Sequence, residues 1–353
     1  MLCVLELQIE DVAFGGKGVG RHNGKAVFVP FTIEGERVTA RIVREKKHFA
    51  EGELDRVLTP SAQRTTPECP YFGRCGGCSY QHINYEHQLA LKQRQLDQSL
   101  RRIGHFAEPP VTAIIPSPKA YGYRNRVTVH AEQGVVGYYR RDVHRLIDVE
   151  FCPIAAPEVN AALAQLRAGR PRDGHYTLRT HSGPRVFAQT NDEVAEALAQ
   201  LVERFLPDGQ TLLIDAYCGT GFFAKRLRAK FDQIIGLEWD QFAVAAAREG
   251  AAPNETYIAG EVGLELEQQL LSASLSTTCV IVDPPATGLS PATRHALLDR
   301  PAATLIYVSC NPATLARDLG ELRARFKIES ITPLDMFPQT AQIEAAAHLK
   351  ARE

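Results

Sequence analysis

The stretch T-L-L-I-D-A-Y-C-G-T-G-F-F, from Thr211 to Phe223, decides the fold of the second half of the chain. Its apolar start predicts a buried strand, and its two glycines, Gly219 and Gly221, predict a tight turn into a helix. Apolar strand-like runs and helix-like segments then alternate as far as Ser309. Regular alternation of this kind predicts the α/β class, with a doubly wound, Rossmann-like sheet.

The glycine turn also predicts a nucleotide site. A turn without Cβ atoms lets the backbone approach a ligand, and Glu238, at the end of the next strand, can accept hydrogen bonds from ribose hydroxyls. The letters G-T-G-F-F-A fit the dinucleotide pattern as well, so an NAD-dependent dehydrogenase is an alternative. Asp215 stands before the turn, where a carboxylate would repel a pyrophosphate but suits the amino-acid part of S-adenosylmethionine. The sequence therefore favours a methyltransferase.

A cysteine at the end of another apolar run predicts the chemistry. Cys310 follows T-L-I-Y-V-S and precedes Asn-Pro, so its thiol is expected at the carboxyl edge of the sheet, where ligands of open α/β folds bind. Asp283, in C-V-I-V-D-P-P-A, is expected at the same edge. A thiolate there can add to C6 of a uracil and make C5 nucleophilic. A nearby base must then remove the C5 proton.

The first half of the chain is rich in short β-like runs. L-E-L-Q-I, K-A-V-F-V-P, R-V-T-A-R-I-V and G-E-L-D-R-V-L predict a small OB-type β-barrel over residues 1–62. A β-rich central domain is expected over residues 63–186 and the catalytic domain over residues 187–353. A helix predicted over residues 85–104 is a candidate to pack on the catalytic domain.

Composition adds broad limits. With 353 residues and a net charge of −1, the chain has room for two or three domains, and its overall charge does not indicate a polyanionic partner. No run reaches the roughly eighteen apolar residues of a membrane span, and no secretory segment is visible, so a cytoplasmic protein without a membrane partner is expected. Between residues 89 and 145, ten basic residues face four acidic ones, which is typical of a solvated or an RNA-binding face.

Four cysteines suggest a metal centre. Cys69, Cys75 and Cys78 fall within ten residues, and Cys152, which like Cys69 is followed by proline, would complete the set. Four thiolates in a reducing compartment suit either zinc or an iron–sulfur cluster, and their spacing does not discriminate between the two.

Several motifs in order resemble one known family. E-C-P-Y-F-G before C-G-G-C, D-A-Y-C-G-T-G, V-S-C-N-P-A-T-L-A-R-D and D-M-F-P-Q-T-A-Q-I-E resemble the RNA uracil-5 methyltransferases, which make 5-methyluridine in ribosomal or transfer RNA. The opening barrel resembles the TRAM domain that many members carry. The resemblance implies S-adenosylmethionine as methyl donor and a 4Fe–4S cluster on the four cysteines. The TRAM-like barrel favours ribosomal (23S) RNA as substrate, with transfer RNA as the alternative and no obligate protein partner evident.

The resemblance also implies a role for each matching residue. Cys310 matches the nucleophile, Glu344 the base that removes the proton, and Asp283 the aspartate that lies against the target uracil. The residues expected to hold the methyl donor are Gln189, Asp215, Tyr217, Gly219, Gly221, Phe222, Glu238, Glu261 and Asp283. Those expected to contact RNA are Phe187, Arg124 and Arg126.

One position departs from the family pattern. Members usually carry an arginine just after the Asp-Pro pair, where this chain has Ala286. The contribution of that arginine must be absent or supplied by another residue. A further alternative is a non-enzymatic RNA-binding module, which would form no covalent adduct with RNA containing 5-fluorouridine.

Overall fold

The computed structural model describes residues 4–180 and 189–352. The chain divides into two compact units. The first comprises Met1–Gln95, Pro118–His181 and Phe337–Gln342, and the second Leu96–Ser117, Ser182–Met336 and Ile343–Glu353. Across the described residues, no helix combines the length and the apolar character needed to cross a membrane.

The first unit begins with the predicted barrel, which is confirmed. Its strands close in the order β1-β2-β3-β5-β4 around alternate apolar side chains such as Leu7, Ile9 and Val29. Their bounds are β1 Val4–Val12, β2 Lys17–His22, β3 Lys25–Pro30, β4 Arg37–Glu45 and β5 Phe49–Thr59.

Strand β2 includes Gly18 and Gly20 of the glycine-rich stretch G-G-K-G-V-G-R. Only glycine fits at position 18, because a Cβ there would lie 2.0 Å from Oγ1 of Thr32. The glycines of G-G-K-G-V-G-R thus serve a close approach within the barrel as well as a turn.

A four-stranded antiparallel sheet completes the first unit. It has the order β8-β7-β6-β9, and α2 packs on one face through Val159 and Leu163. The bounds are β6 Arg126–Glu132, β7 Val135–Tyr139, β8 Leu146–Asp148, α2 Pro157–Ala168 and β9 Gly174–Arg179. The helix α1, Tyr85–Arg102, matches the predicted one. Its last part belongs to the second unit, where Leu96 and Leu100 are fully buried in the core.

The second unit is the predicted doubly wound α/β fold. Its seven-stranded sheet has the order β12-β11-β10-β13-β14-β16-β15, parallel as far as β14 and antiparallel beyond it. The strands are β10 Leu212–Ala216, β11 Gln233–Glu238, β12 Glu255–Ala259, β13 Thr278–Val282, β14 Thr304–Ser309, β15 Phe326–Leu334 and β16 Glu344–Ala351. The helices are α3 Asp192–Phe205, α4 Phe222–Leu227, α5 Gln241–Arg248, α6 Val262–Ser272, α7 Pro291–Asp299 and α8 Pro312–Leu322.

Candidate active site

The turn after β10 places a buried carboxylate at the carboxyl edge of the sheet. Asp215 is fully buried, and its Oδ2 accepts a hydrogen bond from the backbone N–H of Ala224 at 2.9 Å. Among the described residues, Oδ1 of Asp215 has no hydrogen-bond partner. A buried acceptor with an open position suits the ammonium group of an amino-acid ligand.

The turn itself has left-handed backbone at Tyr217, Gly219 and Gly221, with φ angles of 64°, 54° and 83°. A Cβ at Gly221 would lie 2.6 Å from the hydroxyl of Tyr257, whereas one at Gly219 would meet nothing within 4 Å. Gly221 is therefore required by its neighbour, and the space beside Gly219 is open to a ligand. Tyr217 hydrogen-bonds through its hydroxyl to Thr293 at 2.8 Å, which gives it a structural role beside its predicted one.

Glu238 ends β11 and links two loops of the same edge. Its Oε2 accepts from the N–H of Gly219 at 3.0 Å, and its Oε1 accepts from the N–H groups of Trp239 and Asp240. The carboxylate is thus held rigidly beside the glycine turn, as a ribose ligand requires. Glu261 lies at the end of the neighbouring strand β12, where it is exposed and caps α6 by accepting from Leu264 at 2.7 Å.

The antiparallel strand β16 brings the predicted nucleophile, Cys310, and the predicted base, Glu344, close together. Thr304 pairs with Lys350 and Ser309 with Ala345, so the same register continued by one residue sets Cys310 opposite Glu344. Directly opposite residues of an antiparallel pair lie on the same face with Cβ atoms about 5 Å apart. Glu344 is only 3% exposed, whereas Cys310 is half-buried.

Electrostatic coupling joins these groups into one site. Burial, and then the charges of Glu344 and Asp283, raise the pKa of the Cys310 thiol to about 11. Burial and Asp283 raise the pKa of Glu344 well above its usual range. Burial also raises the pKa of Asp283 to about 7, and the pKa of Asp215 to about 7 with Asp283 and Glu238 contributing. Without a ligand, the site therefore holds a protonated thiol among carboxyls that resist ionisation.

The loop that carries Asp283 is held by α8, the helix that follows Cys310. Asn311 caps α8 by accepting from the N–H of Ala313 at 3.0 Å, and its side-chain amide donates to the carbonyl of Ala286 at 2.9 Å. Thr314 donates to the same carbonyl at 3.2 Å. Ala286, where the family usually has arginine, is thus fixed through its backbone by residues next to Cys310.

A buried aspartate anchors the far end of this loop. Asp318 accepts from the N–H of Leu289 at 2.9 Å and from the hydroxyl of Tyr307 at 2.7 Å. Arg317 binds Asp318 and also donates to the carbonyl of Thr287 at 3.1 Å. Sequence reasoning did not find Asn311, Asp318 or Tyr307, although their signal lay in the same motif as Cys310.

Of the remaining residues predicted to bind the cofactor or RNA, four lie in the described part of the chain and one does not. Phe222 begins α4 and is 38% exposed, and Gln189 is half-buried ahead of α3. Phe187 lies outside the described residues. Arg124 and Arg126 lie in the first unit at the start of β6, where Nε of Arg124 donates to the carbonyl of Arg126 at 3.2 Å. The roles proposed for these residues stay predictions.

The basic stretch of residues 89–145 is less available than the sequence indicated. Lys92 is fully buried and donates to the carbonyl of Phe337, Arg94 pairs with Asp11 and Glu34, and Arg140 pairs with Asp142. Tyr123, in the same stretch, is 5% exposed. Much of this positive charge therefore stabilises the fold.

The four cysteines share one neighbourhood of the first unit. Burial first, and then the other thiols of the group, raise the pKa of Cys78 to about 12, and the same causes raise the pKa values of Cys69 and Cys75. The N–H of Gly77 donates to Sγ of Cys75 at 3.4 Å. Within residues 4–180 and 189–352, however, no three His, Cys, Asp or Glu side chains are placed to hold a metal ion. The donor set fits a thiophilic centre by its chemistry, but the predicted metal site is not confirmed.

A doubly wound sheet with buried carboxylates at its carboxyl edge is the architecture expected of a methyltransferase with a nucleoside cofactor. Family comparison agrees. Residues 172–352 match the model of the tRNA (uracil-5-)-methyltransferase family, and residues 4–54 match the TRAM domain. The chain belongs to this family of RNA methyltransferases, which excludes the dehydrogenase alternative. Its methyl donor is accordingly S-adenosylmethionine, and its substrate is RNA.

Similar proteins cover the whole chain. An uncharacterised RNA methyltransferase of Nostoc is 32% identical over 98% of this chain and 96% of the relative. One of Aquifex aeolicus is 30% identical over 99% of both chains. The solved structure of Pyrococcus abyssi tRNA (uracil-54, C5)-methyltransferase with S-adenosyl-L-homocysteine has a TM-score of 0.75 at 23% identity, covering 98% of this chain and 100% of its own. This last likeness supports the fold.

Proposed function

We propose that the protein methylates C5 of a specific uridine in RNA through a covalent adduct of Cys310. The thiolate of Cys310 adds to C6, and the ring electrons move to O4, so that C5 of the enolate becomes the nucleophile. After C5 has taken the methyl group, Glu344 removes the C5 proton. The C6–S bond then breaks, which restores the aromatic ring and releases Cys310.

The register of β14 and β16, which extended by one residue sets Cys310 opposite Glu344, is the observation that carries this proposal. The reaction needs a nucleophile at C6 and a base at the adjacent C5, and a cross-strand pair supplies both on one face of the sheet. Asp283 interacts electrostatically with both groups and is proposed to lie against the uracil.

The charge of the site suits the methyl donor. S-adenosylmethionine supplies an electrophilic methyl group on a positively charged sulfur. A positive charge nearby lowers the pKa values of Asp215 and Asp283 and so favours their ionised forms. It also lowers the pKa of Cys310, so that the thiolate forms more readily. Burial, and then Asp283, raise the pKa of Glu344 well above its ordinary range, so its carboxylate is a stronger base than that of an exposed glutamate.

We propose ribosomal RNA as the substrate, because the chain carries a TRAM domain in addition to its catalytic unit. Transfer RNA is the second candidate. It is favoured by the description of the matching family and by the substrate named for the Pyrococcus abyssi enzyme.

The test is to map 5-methyluridine in ribosomal and transfer RNA from cells that lack the protein. Loss of one 5-methyluridine from ribosomal RNA, restored by the intact gene but not by a Cys310→Ala gene, is expected. Loss from transfer RNA would replace the first substrate by the second. Unchanged 5-methyluridine in both RNA classes would contradict the proposed activity.

We also propose that Cys69, Cys75, Cys78 and Cys152 hold a 4Fe–4S cluster with a structural role in the cytoplasmic protein. The four thiols come from two segments far apart in sequence, which a shared centre would join. Iron and acid-labile sulfide in protein purified without oxygen, both lost in Cys152→Ser, are the expected result. Stoichiometric zinc without iron would contradict it.

A further inference from the structure

The open face of the four-stranded sheet carries three polar cross-strand pairs. Along β6 and β9, Arg126 pairs with Arg179, Thr128 with Thr177, and His130 with His175. We call these six residues the polar ladder. They alternate with Val127, Val129 and Leu178, which pack against α2 on the other face. The ladder therefore lies on the face of the sheet that α2 leaves open.

The ladder is accessible to a ligand. Thr128, His175 and Thr177 are exposed, while Arg126, His130 and Arg179 are half-buried. The two threonine hydroxyls lie 3.4 Å apart, and the Nδ1 atoms of the two histidines lie 2.6 Å apart. All six side chains can donate hydrogen bonds, and none is a carboxylate.

One end of the ladder concentrates positive charge. Arg126 and Arg179 stand directly opposite one another, an arrangement of like charges that destabilises a sheet. Burial, and then the charges of Arg179 and Arg124, lower the pKa of Arg126. A negatively charged ligand at this end would be attracted by the three guanidinium groups.

The spacing of the ladder suits an extended polyanion. Successive pairs are two residues apart along the strands, which corresponds to about 6.8 Å per step. Three pairs of donors in a line offer more than one anion can use, whereas successive phosphates of a nucleic-acid strand can occupy them together.

We propose that the polar ladder binds a phosphodiester segment of the RNA at nucleotides other than the target uridine. The proposal rests on RNA being the substrate, but it does not depend on the covalent mechanism. It adds Arg179 and the two histidines to Arg124 and Arg126 as RNA ligands. Sequence reasoning missed Arg179 and His175 because they come from β9, a strand that it did not identify.

The histidine pair makes binding depend on pH. The ring of His130 faces His175 and Tyr139, with Glu132 and His144 also acting on it. Burial, and then His175, lower the pKa of His130. A phosphate favours the protonated form, so RNA binding is expected to strengthen as pH falls through about 6.5.

The test measures binding of a fluorescent oligouridylate by the full chain in a Cys310→Ala background, so that no covalent adduct forms. Arg126→Gln with Arg179→Gln should lower the slope of log K against log salt by about 1.4, since each phosphate contact contributes roughly 0.7 for a single strand. Arg126→Lys with Arg179→Lys keeps the charges and should keep the slope. The matched control is Arg102→Gln, an exposed arginine at the end of α1.

Substitution of the histidines tests the other end of the ladder. His130→Gln with His175→Gln should abolish the strengthening of binding as pH falls through about 6.5, the ordinary histidine pKa. If the glutamine variants fold with unchanged melting temperature and keep both the salt slope and the pH dependence of the parent, the proposal is wrong. The proposal would also be contradicted if the lysine variant lost the slope of log K against log salt as well, because a damaged fold would then be the cause.

Discussion

Two sheet surfaces of this protein have opposite character. The carboxyl edge of the seven-stranded sheet gathers Asp215, Glu238, Asp283 and Glu344, of which Asp215 is completely buried. The polar ladder of the four-stranded sheet presents arginine, threonine and histidine side chains without a carboxylate, half of them exposed. The first surface is suited to a small cation and to proton transfer, whereas the second is suited to a long anion.

The difference shows where each kind of recognition can be built. Burial raises the pKa values of acids and thiols, so chemistry that needs a base with a pKa above its ordinary range belongs in the interior. Phosphate contacts need many donors along a line and little burial, so they belong on an open sheet face. One chain can thus separate catalysis from binding of its substrate. Variants of each surface should therefore alter different measurements.

The largest effect is expected from Glu344→Gln. Loss of the base should lower turnover by about 10²- to 10⁴-fold, while addition of Cys310 and methyl transfer still occur. A denaturation-stable complex of protein and methylated RNA should therefore accumulate in gel assays with ordinary uridine RNA. The control is Glu267→Gln, which changes an exposed glutamate of α6. Normal turnover by the Glu344 variant would assign the proton transfer to another group.

A smaller effect is expected at Asn311. In Asn311→Asp, the carboxylate can still cap α8, but it cannot donate to the carbonyl of Ala286. The Asp283 loop should lose its fixed position, and kcat should fall by about tenfold to a hundredfold. Because the cap remains, the melting temperature should stay near that of the wild type. A fall in melting temperature equal to that of Asn311→Ala would show a structural role alone.

The smallest effect is a displacement along the pH axis. The charge of Asp283 raises the pKa values of both Glu344 and Cys310, so Asp283→Asn should lower both. Activity requires their deprotonated forms, so the rising limb of log kcat should move to lower pH. The absolute rate should also fall, because Asp283 is proposed to contact the uracil. Asp232→Asn, ahead of β11 and exposed, should leave the profile unchanged.

Local patterns predicted much of the second unit. Alternating apolar runs identified β10, β11, β13 and β14, and the glycines identified the turn that carries Asp215. Strand β12 was missed because its letters E-T-Y-I-A are mixed in polarity, as an edge strand of the sheet permits.

Contacts between distant segments escaped sequence reasoning. The pairing of Cys310 with Glu344 depends on the register of β14 and β16, which only the folded sheet sets. Glu344 was found through family resemblance, since a glutamate in an apolar context carries no catalytic signal of its own. The polar ladder was missed for the same physical reason, because β6 and β9 are separated by more than forty residues.

The most direct test of the central claim is the reaction of the protein with RNA containing 5-fluorouridine in the presence of S-adenosylmethionine. The analogue has fluorine where Glu344 must remove a proton, so the adduct should persist, and mass spectrometry should locate it on Cys310. Cys310→Ala should form no adduct and should not methylate ordinary uridine RNA. Methylation by Cys310→Ala at the wild-type rate, or an adduct on another residue, would contradict the mechanism.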